Sequence, residues 1–301
     1  MTVLPPVTKF PEVGQADARG ELRNIYDDIE FTLRAPWVPF AIRVMSLFPA
    51  FVPAAWRMLK PHISTVYAEK GADLVREASI IPGPPPGDPR PKLRAAGWSD
   101  EDISKIGRAL DSLNYGNPKG LILITAWNEA WNERAAGSPA SNLSAAEARQ
   151  LPHGLPDGVE TFHLIEPDRA PPEIQELLRQ AKDLLLQHAP MSDFRVLATW
   201  PEVLRIAIED ILAPVALTAE YEETAGRIRA IARKHVAGFS GVAGVSRRQM
   251  SDSLSGQQIA GLTGVLFMYN RFIADITIAM IRVKQAFAGA SSATENKFPV
   301  T

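Results

Sequence analysis

The 301-residue sequence predicts an all-α fold built from two pseudo-symmetric helical repeats. Three observations predict it. Apolar residues recur at helical spacing, strand-like alternation is scarce, and the landmarks of the first half return in the same order in the second.

The first helix is read from Leu22, Ile25, Tyr26, Ile29 and Leu33, which lie 3, 4, 7 and 11 positions from the start and share one helical face. Ile174, Leu177, Leu178, Ala181 and Leu185 repeat that face, each 152 positions later. Next, Arg43-Val44 before Phe48-Pro49 is matched, 152 positions on, by Arg195-Val196 before Trp200-Pro201. Each Pro suits the first turn of a new helix, where no N–H is needed. Ser99-x-x-Asp102 and Ser255-x-x-Gln258, 156 apart, read as helix starts, the second with capping-box chemistry. Tyr115 and Tyr269, 154 apart, each precede a long apolar run, Leu121 to Trp127 and Ile273 to Ile281. Landmarks at so constant an offset point to an internal duplication. Residues 1–134 are therefore read as an N-terminal helical repeat and 173–301 as a C-terminal one. Residues 135–172, rich in Pro, Gly, Ser and Ala, read as a long linker over the surface. A second breaker-rich stretch, Ile80 to Pro91, is read as non-helical connection.

Composition narrows the function. Hydrophobic content of 46% and charged content of 22% are those of a soluble globular protein. A net charge of −2, from 32 basic and 34 acidic residues, argues against a nucleic-acid or anionic-membrane partner. The chain has no cysteine, so disulfides, thiolate nucleophiles and cysteine-ligated metals are excluded. Its five histidines never fall in an HExxH-like spacing, and no metal site is expected. The start MTVLPPVTKFPEV lacks the pattern of a signal peptide. The apolar stretch Gly261 to Val283 is broken by Asn270, Arg271 and Asp275, which suits a core helix better than a membrane span. A cytoplasmic protein is the expectation.

Two similar helical units packed together leave a cleft between them, a common place for a small ligand. Aligning Ala35-Pro36 with Ala189-Pro190 sets Trp37, Val38 and Pro39 opposite Met191, Ser192 and Asp193. One copy is then apolar where the other carries a hydroxyl and a carboxylate. Each of these residues also has a plainer reading. Ser192-Asp193 can cap the helix that follows, which is the more ordinary role of such a pair. Trp37 and Phe40 suit a core. Asn117, within Tyr115-Gly-Asn-Pro-Lys119, has the chemistry of a turn. Tyr269 lies in an apolar helix, where its hydroxyl needs a partner.

Several long strings carry a family likeness: YDDIEFTLRAPWVPF, LNYGNPKGLILITA, SDFRVLATWPEVL and, above all, IAGLTGVLFMYNRFIADITI from Ile259 to Ile278. From about residue 8 onward the sequence closely resembles the group I 2-haloacid dehalogenases, which act on D- or on both D- and L-2-haloalkanoic acids. The resemblance implies two helical pseudo-repeats with the active site between them, usually in a homodimer, and hydrolysis without a cofactor. It implies that Asp193 activates a water held with Asn117, which attacks the α-carbon with inversion and without an ester intermediate. It places Trp37, Pro39, Phe40, Met191 and Ser192 at the substrate, with Tyr269 nearby. Met191, Pro39 and Gly120 depart from relatives. A bulky Met191 narrows the space for one enantiomer and points to a D-preference. The alternative is a non-catalytic helical protein that binds a small acid; retention of both Asp193 and Asn117 speaks against it.

Overall fold

The computed structural model describes residues 10–134, 143–239 and 244–300. The chain start and the first part of the expected linker, 135–142, lie outside them. Among the described residues there is no strand, only one isolated antiparallel bridge between Thr65 and Gln150.

In chain order the helices are α1 (Gly20–Leu33), α2 (Phe40–Met45), α3 (Phe51–Ile63), α4 (Val66–Glu77), α5 (Arg90–Ala95) and α6 (Asp100–Trp131). After the short α7 (Ala145–Ala148) come α8 (Pro172–Leu184), α9 (Ser192–Leu197) and α10 (Pro201–Ile206), which runs into a π-helical turn at Ala207–Leu212. The chain continues through α11 (Ala219–Val236), α12 (Gly256–Ala288) and α13 (Ala290–Thr294). Helices α6 and α12 pack along each other at the centre, and the rest wrap around them. The residues read as the inner face of α1 do face inward: Tyr26, Ile29 and Leu33 are buried, as are Leu177, Leu178, Ala181 and Leu185 at the equivalent places around α8.

Helix α12 is long and apolar enough to cross a membrane, but most of its apolar window is buried inside the protein. Capping explains where the two central helices begin. Ser99 and Ser255 each form a complete capping box, with Asp102 and Gln258 as the reciprocal partners.

Local geometry also recurs. Arg34 and Leu186, 152 apart, both end their helices in the left-handed region, with φ of 58° and 52°. The next amide closes the same turn in each case, Ala35 N–H on the Glu30 carbonyl at 3.1 Å and Gln187 N–H on the Lys182 carbonyl at 2.9 Å. These turns set the register at 152 from α1 to α2 and from α8 to α9, so Met191 corresponds to Pro39, Ser192 to Phe40 and Asp193 to Ala41. The pairing drawn from the Ala-Pro dipeptides is thus off by two residues. Two prolines after a helix end mark a turn only loosely, whereas the cap and the next helix start fix the backbone.

Two other sequence readings change. Tyr115 to Lys119 is not a turn but the middle of α6. Pro118 has no N–H to give the Asn114 carbonyl, and the buried Arg76 supplies the missing donor, Nε to O at 2.9 Å. A neighbouring side chain thus satisfies the group that Pro leaves unpaired, and the helix runs on. Pro91, expected to be non-helical, stands in the first turn of α5, as Pro201 does in α10.

The described part of the linker clings to the body. Its backbone bonds Val66 N–H and the Ser64 carbonyl through Arg149 and Leu151, and farther on Ile165 exchanges bonds with Arg195.

Candidate active site

Asp193 sits in the first turn of α9 and is 2% exposed. It does not cap its helix. The N-cap position is Met191, which makes no capping bond, and Ser192 and Asp193 are already helical. Their side chains are therefore free for other partners. The Asn117 side-chain amide, from the middle of α6, donates to Asp193 Oδ1 at 2.6 Å. Burial pushes the Asp193 carboxyl up to about 7, against the pull of the Asn117 hydrogen bond toward the charged form. A carboxylate so poised takes a proton near neutrality, as a general base must.

The two residues line a small, partly open cavity of about 20 Å³, room for about one water. Its wall comes from both halves. Trp37, Pro39, Phe40, Gly116, Asn117 and Gly120 come from the first, and Met191, Ser192, Asp193, Ile273 and Ile276 from the second. The wall is itself paired: Pro39 with Met191 and Phe40 with Ser192 at an offset of 152, Asn117 with Ile273 and Gly120 with Ile276 at 156. Three polar side chains, Asn117, Ser192 and Asp193, interrupt an otherwise apolar surface.

Helices α2 and α9 both begin at this cavity. Apart from Ile42 N–H, which bonds the Pro39 carbonyl, their first-turn amides have no acceptor within their own helices, which favours a bound anion. Trp37 is seated by a glycine: a Cβ on Gly116 would lie 2.5 Å from Trp37 Cη2 and 2.9 Å from Cζ2.

Of the residues expected at the site, the structure brings together Asp193, Asn117, Trp37, Pro39, Phe40, Met191 and Ser192. Tyr269 stands behind them. Its ring meets the Phe40 ring edge-on at 5.8 Å and its hydroxyl lies 3.2 Å from His188 Nε2. Burial pushes His188 down to about 4, so at neutral pH it is uncharged and shares a single hydrogen bond with the tyrosine hydroxyl. Tyr269 buttresses Phe40 rather than lining the cavity.

Sequence reasoning missed Gly116, Ile273 and Ile276, which look like ordinary core-helix residues. It also passed over the role of Arg43 and Arg195, although their recurrence was visible. Both guanidiniums are buried and hold the two oxygens of Glu12, Arg43 Nε to Oε2 at 2.5 Å and Arg195 Nη1 to Oε1 at 3.1 Å. Arg43 also donates to the Val38 carbonyl at 2.6 Å and to Ser192 Oγ at 3.2 Å. Glu12, despite its burial, is held below the usual carboxylate range by these two arginines. The cluster joins the segment before α1 to α2 and α9 just outside the cavity.

No family model matches the chain. Curated relatives do. The chain is 59% identical over 301 residues to a configuration-inverting 2-haloacid dehalogenase of Pseudomonas sp. (strain 113), covering 100% of this chain and 98% of that protein. It is 42% identical over 292 residues to a configuration-inverting 2-haloacid dehalogenase of Alcaligenes xylosoxydans xylosoxydans, covering 97% and 98% of the two. Among solved structures, that of a D-2-haloacid dehalogenase mutant superposes with a TM-score of 0.84 at 25% identity, over 94% of this chain and 98% of the other.

Proposed function

The chain belongs to the 2-haloacid dehalogenases, and from that membership we propose that it hydrolyses short 2-haloalkanoic acids to 2-hydroxy acids with inversion, using Asp193 as the base. The observation that carries the assignment of the base is the buried Asp193 carboxyl, held by Asn117 at 2.6 Å in a cavity with room for about one water.

In this reading the water lies in the cavity against both Asp193 and Asn117, which remain hydrogen-bonded to each other. Asp193 takes one of its protons as the oxygen attacks the α-carbon from the side opposite the halogen. The new carbon–oxygen bond forms as the carbon–halogen bond breaks, and the halide leaves with the bonding pair. Asp193 then returns its proton to solvent. General-base help of this kind contributes about 10²- to 10⁴-fold, and fixing water and carbon in line contributes more.

The substrate carboxylate must be held apart from Asp193, since like charges repel. The first-turn amides beside Phe40 and Ser192 supply positive ends for it. The Trp37 indole N–H is the candidate halide donor. Pro39, Phe40 and Met191 shape the space around the α-substituent, and the D-isomer is the preferred one. The homodimer and the cytoplasmic location expected from the family belong to the same proposal; light scattering checks the first.

The test supplies D- and L-2-chloropropionate separately and follows chloride release and the configuration of the lactate. Release from the D-isomer with L-lactate as product is expected. No release from either isomer, beside an active control dehalogenase, would refute the reading. Single turnover in ¹⁸O-water should place the label in lactate; label in the protein would mean an ester on Asp193.

A further inference from the structure

The cavity around Asp193 is too small for its substrate. Even the smallest 2-haloacid is several waters in volume, against about 20 Å³. Some part of the wall must move on every turnover, and the structure singles out which.

A second pocket, of about 280 Å³, lies on the far side of Trp37 and is partly open to solvent. Trp37 is the one residue that lines both spaces. The two are also tied by the bond from Arg43, in the outer pocket, to Ser192 in the inner one. The two larger pockets, beside the Pro-rich segment 81–87 and beside Phe267, share no lining residue with the cavity.

On its inner side the Trp37 indole is pressed against Gly116, so it cannot swing deeper. Outward it meets Phe162 of the linker, with ring centroids 5.4 Å apart. Phe162 is half-buried at the edge of the core and belongs to the wrapping segment rather than to a helix. The space an outward-turning indole needs is that of the outer pocket.

We infer that the outer pocket is the antechamber through which 2-haloacids and their products pass, that Trp37 is its inner door, and that Phe162 limits the size of acid admitted by holding that door. This rests on the dehalogenase reading for the identity of the ligand. Glu12, locked between Arg43 and Arg195, ties the floor of the antechamber together, and Asp17 and Glu166 line the same pocket.

Because the chain has no cysteine, one introduced thiol can be blocked selectively. His163 lines the antechamber and is exposed, whereas Gly87 lines the unconnected pocket beside the Pro-rich segment and has nothing within 4 Å of a Cβ. His163→Cys and Gly87→Cys are each treated with a bulky disulfide-forming reagent. Halide release before labelling tests the reaction, and its change on labelling tests the route. Labelled His163→Cys is expected to lose at least tenfold in kcat/KM and to recover on reduction, while labelled Gly87→Cys keeps its rate. In the Asp193→Asn background, where no turnover intervenes, the label should slow binding and release of 2-chloropropionate together and leave Kd within about twofold. Phe162→Ala should raise kcat/KM severalfold for 2-chlorohexanoate relative to chloroacetate. A fully labelled His163→Cys protein that binds and releases the acid at unlabelled rates overturns the route, and an unchanged chain-length profile in Phe162→Ala overturns the role of Phe162.

Discussion

Gly116 makes room for Trp37: a β-carbon at 116 would stand 2.5 Å from Cη2 of the indole, closer than real contacts allow. An Ala in the interior of a helix ordinarily stabilises it by about 1 kcal/mol over Gly. Here the clash falls on a rigid ring, and overpacking of this kind costs about 1–3 kcal/mol. Gly116→Ala is expected to be neutral to destabilising in chemical denaturation and to lower kcat/KM by about tenfold or more, with helical content by circular dichroism unchanged.

Activity should follow the ionisation of Asp193. With the carboxyl raised to about 7, the base is protonated in acid, so kcat/KM should rise tenfold per pH unit below that value and level off above it. The Asn117 hydrogen bond favours the charged form. Asn117→Ala should therefore move the acidic limb to higher pH, besides lowering the plateau by about 10²-fold. A pH–rate profile of both proteins reads the two effects separately.

The same burial makes Asp193 a burden on folding. In the unfolded chain the carboxyl ionises near the ordinary aspartate value of 3.8, in the folded protein only at about 7. Between those values the folded state retains a proton that the unfolded state has lost, so stability falls as pH rises through that window and stays low above it. Asp193→Asn removes the penalty and keeps a polar partner for Asn117. It should be inactive yet more stable than the parent by a few kcal/mol at pH 8 (about 1.4 per pKa unit, taken as an upper limit), with the gain gone by about pH 4. Urea denaturation at the two pH values checks this.

Met191 lines the cavity two positions before Asp193. Met191→Ala opens space beside the α-carbon. The ratio of D- to L-2-chloropropionate turnover should fall several-fold, through gain with the L-isomer, when initial rates of the pure isomers are compared. An unchanged ratio would remove Met191 from any role in enantiomer choice.

The helical class was legible because α1 and α8 keep a regular apolar face, and the starts of α6 and α12 because Ser99 and Ser255 carry their reciprocal partners within three residues. The site was less so. Gly, Asn and Pro each favour turns locally, and nothing in the sequence tells that Arg76, some forty positions earlier, completes the hydrogen bonding of α6 around Pro118. Asp193 reads as a cap until the backbone shows the helix beginning one residue before it. The register of the two halves was misread at the Ala-Pro dipeptides for the same reason, since turn chemistry marks a bend without fixing its length. Trp37, Phe40 and Ser192 could be named as pocket residues only through the family likeness. Gly116 and the Glu12 cluster depend on contacts between distant segments that no local pattern encodes.

The pairing of the cavity wall has one more consequence. The proposed base and water-holder each occupy one member of a matched set of positions, Asp193 against Ala41 and Asn117 against Ile273, and the other members carry no polar side chain. Changes at Pro39, Phe40 or Ile273, which line the cavity, should alter the shape offered to the substrate without altering the side chains proposed to perform the reaction. Part of the substrate range can thus be inherited separately from catalytic power, through the side chains that α2 and α12 contribute, and selection can retune that part while the reacting groups stand still.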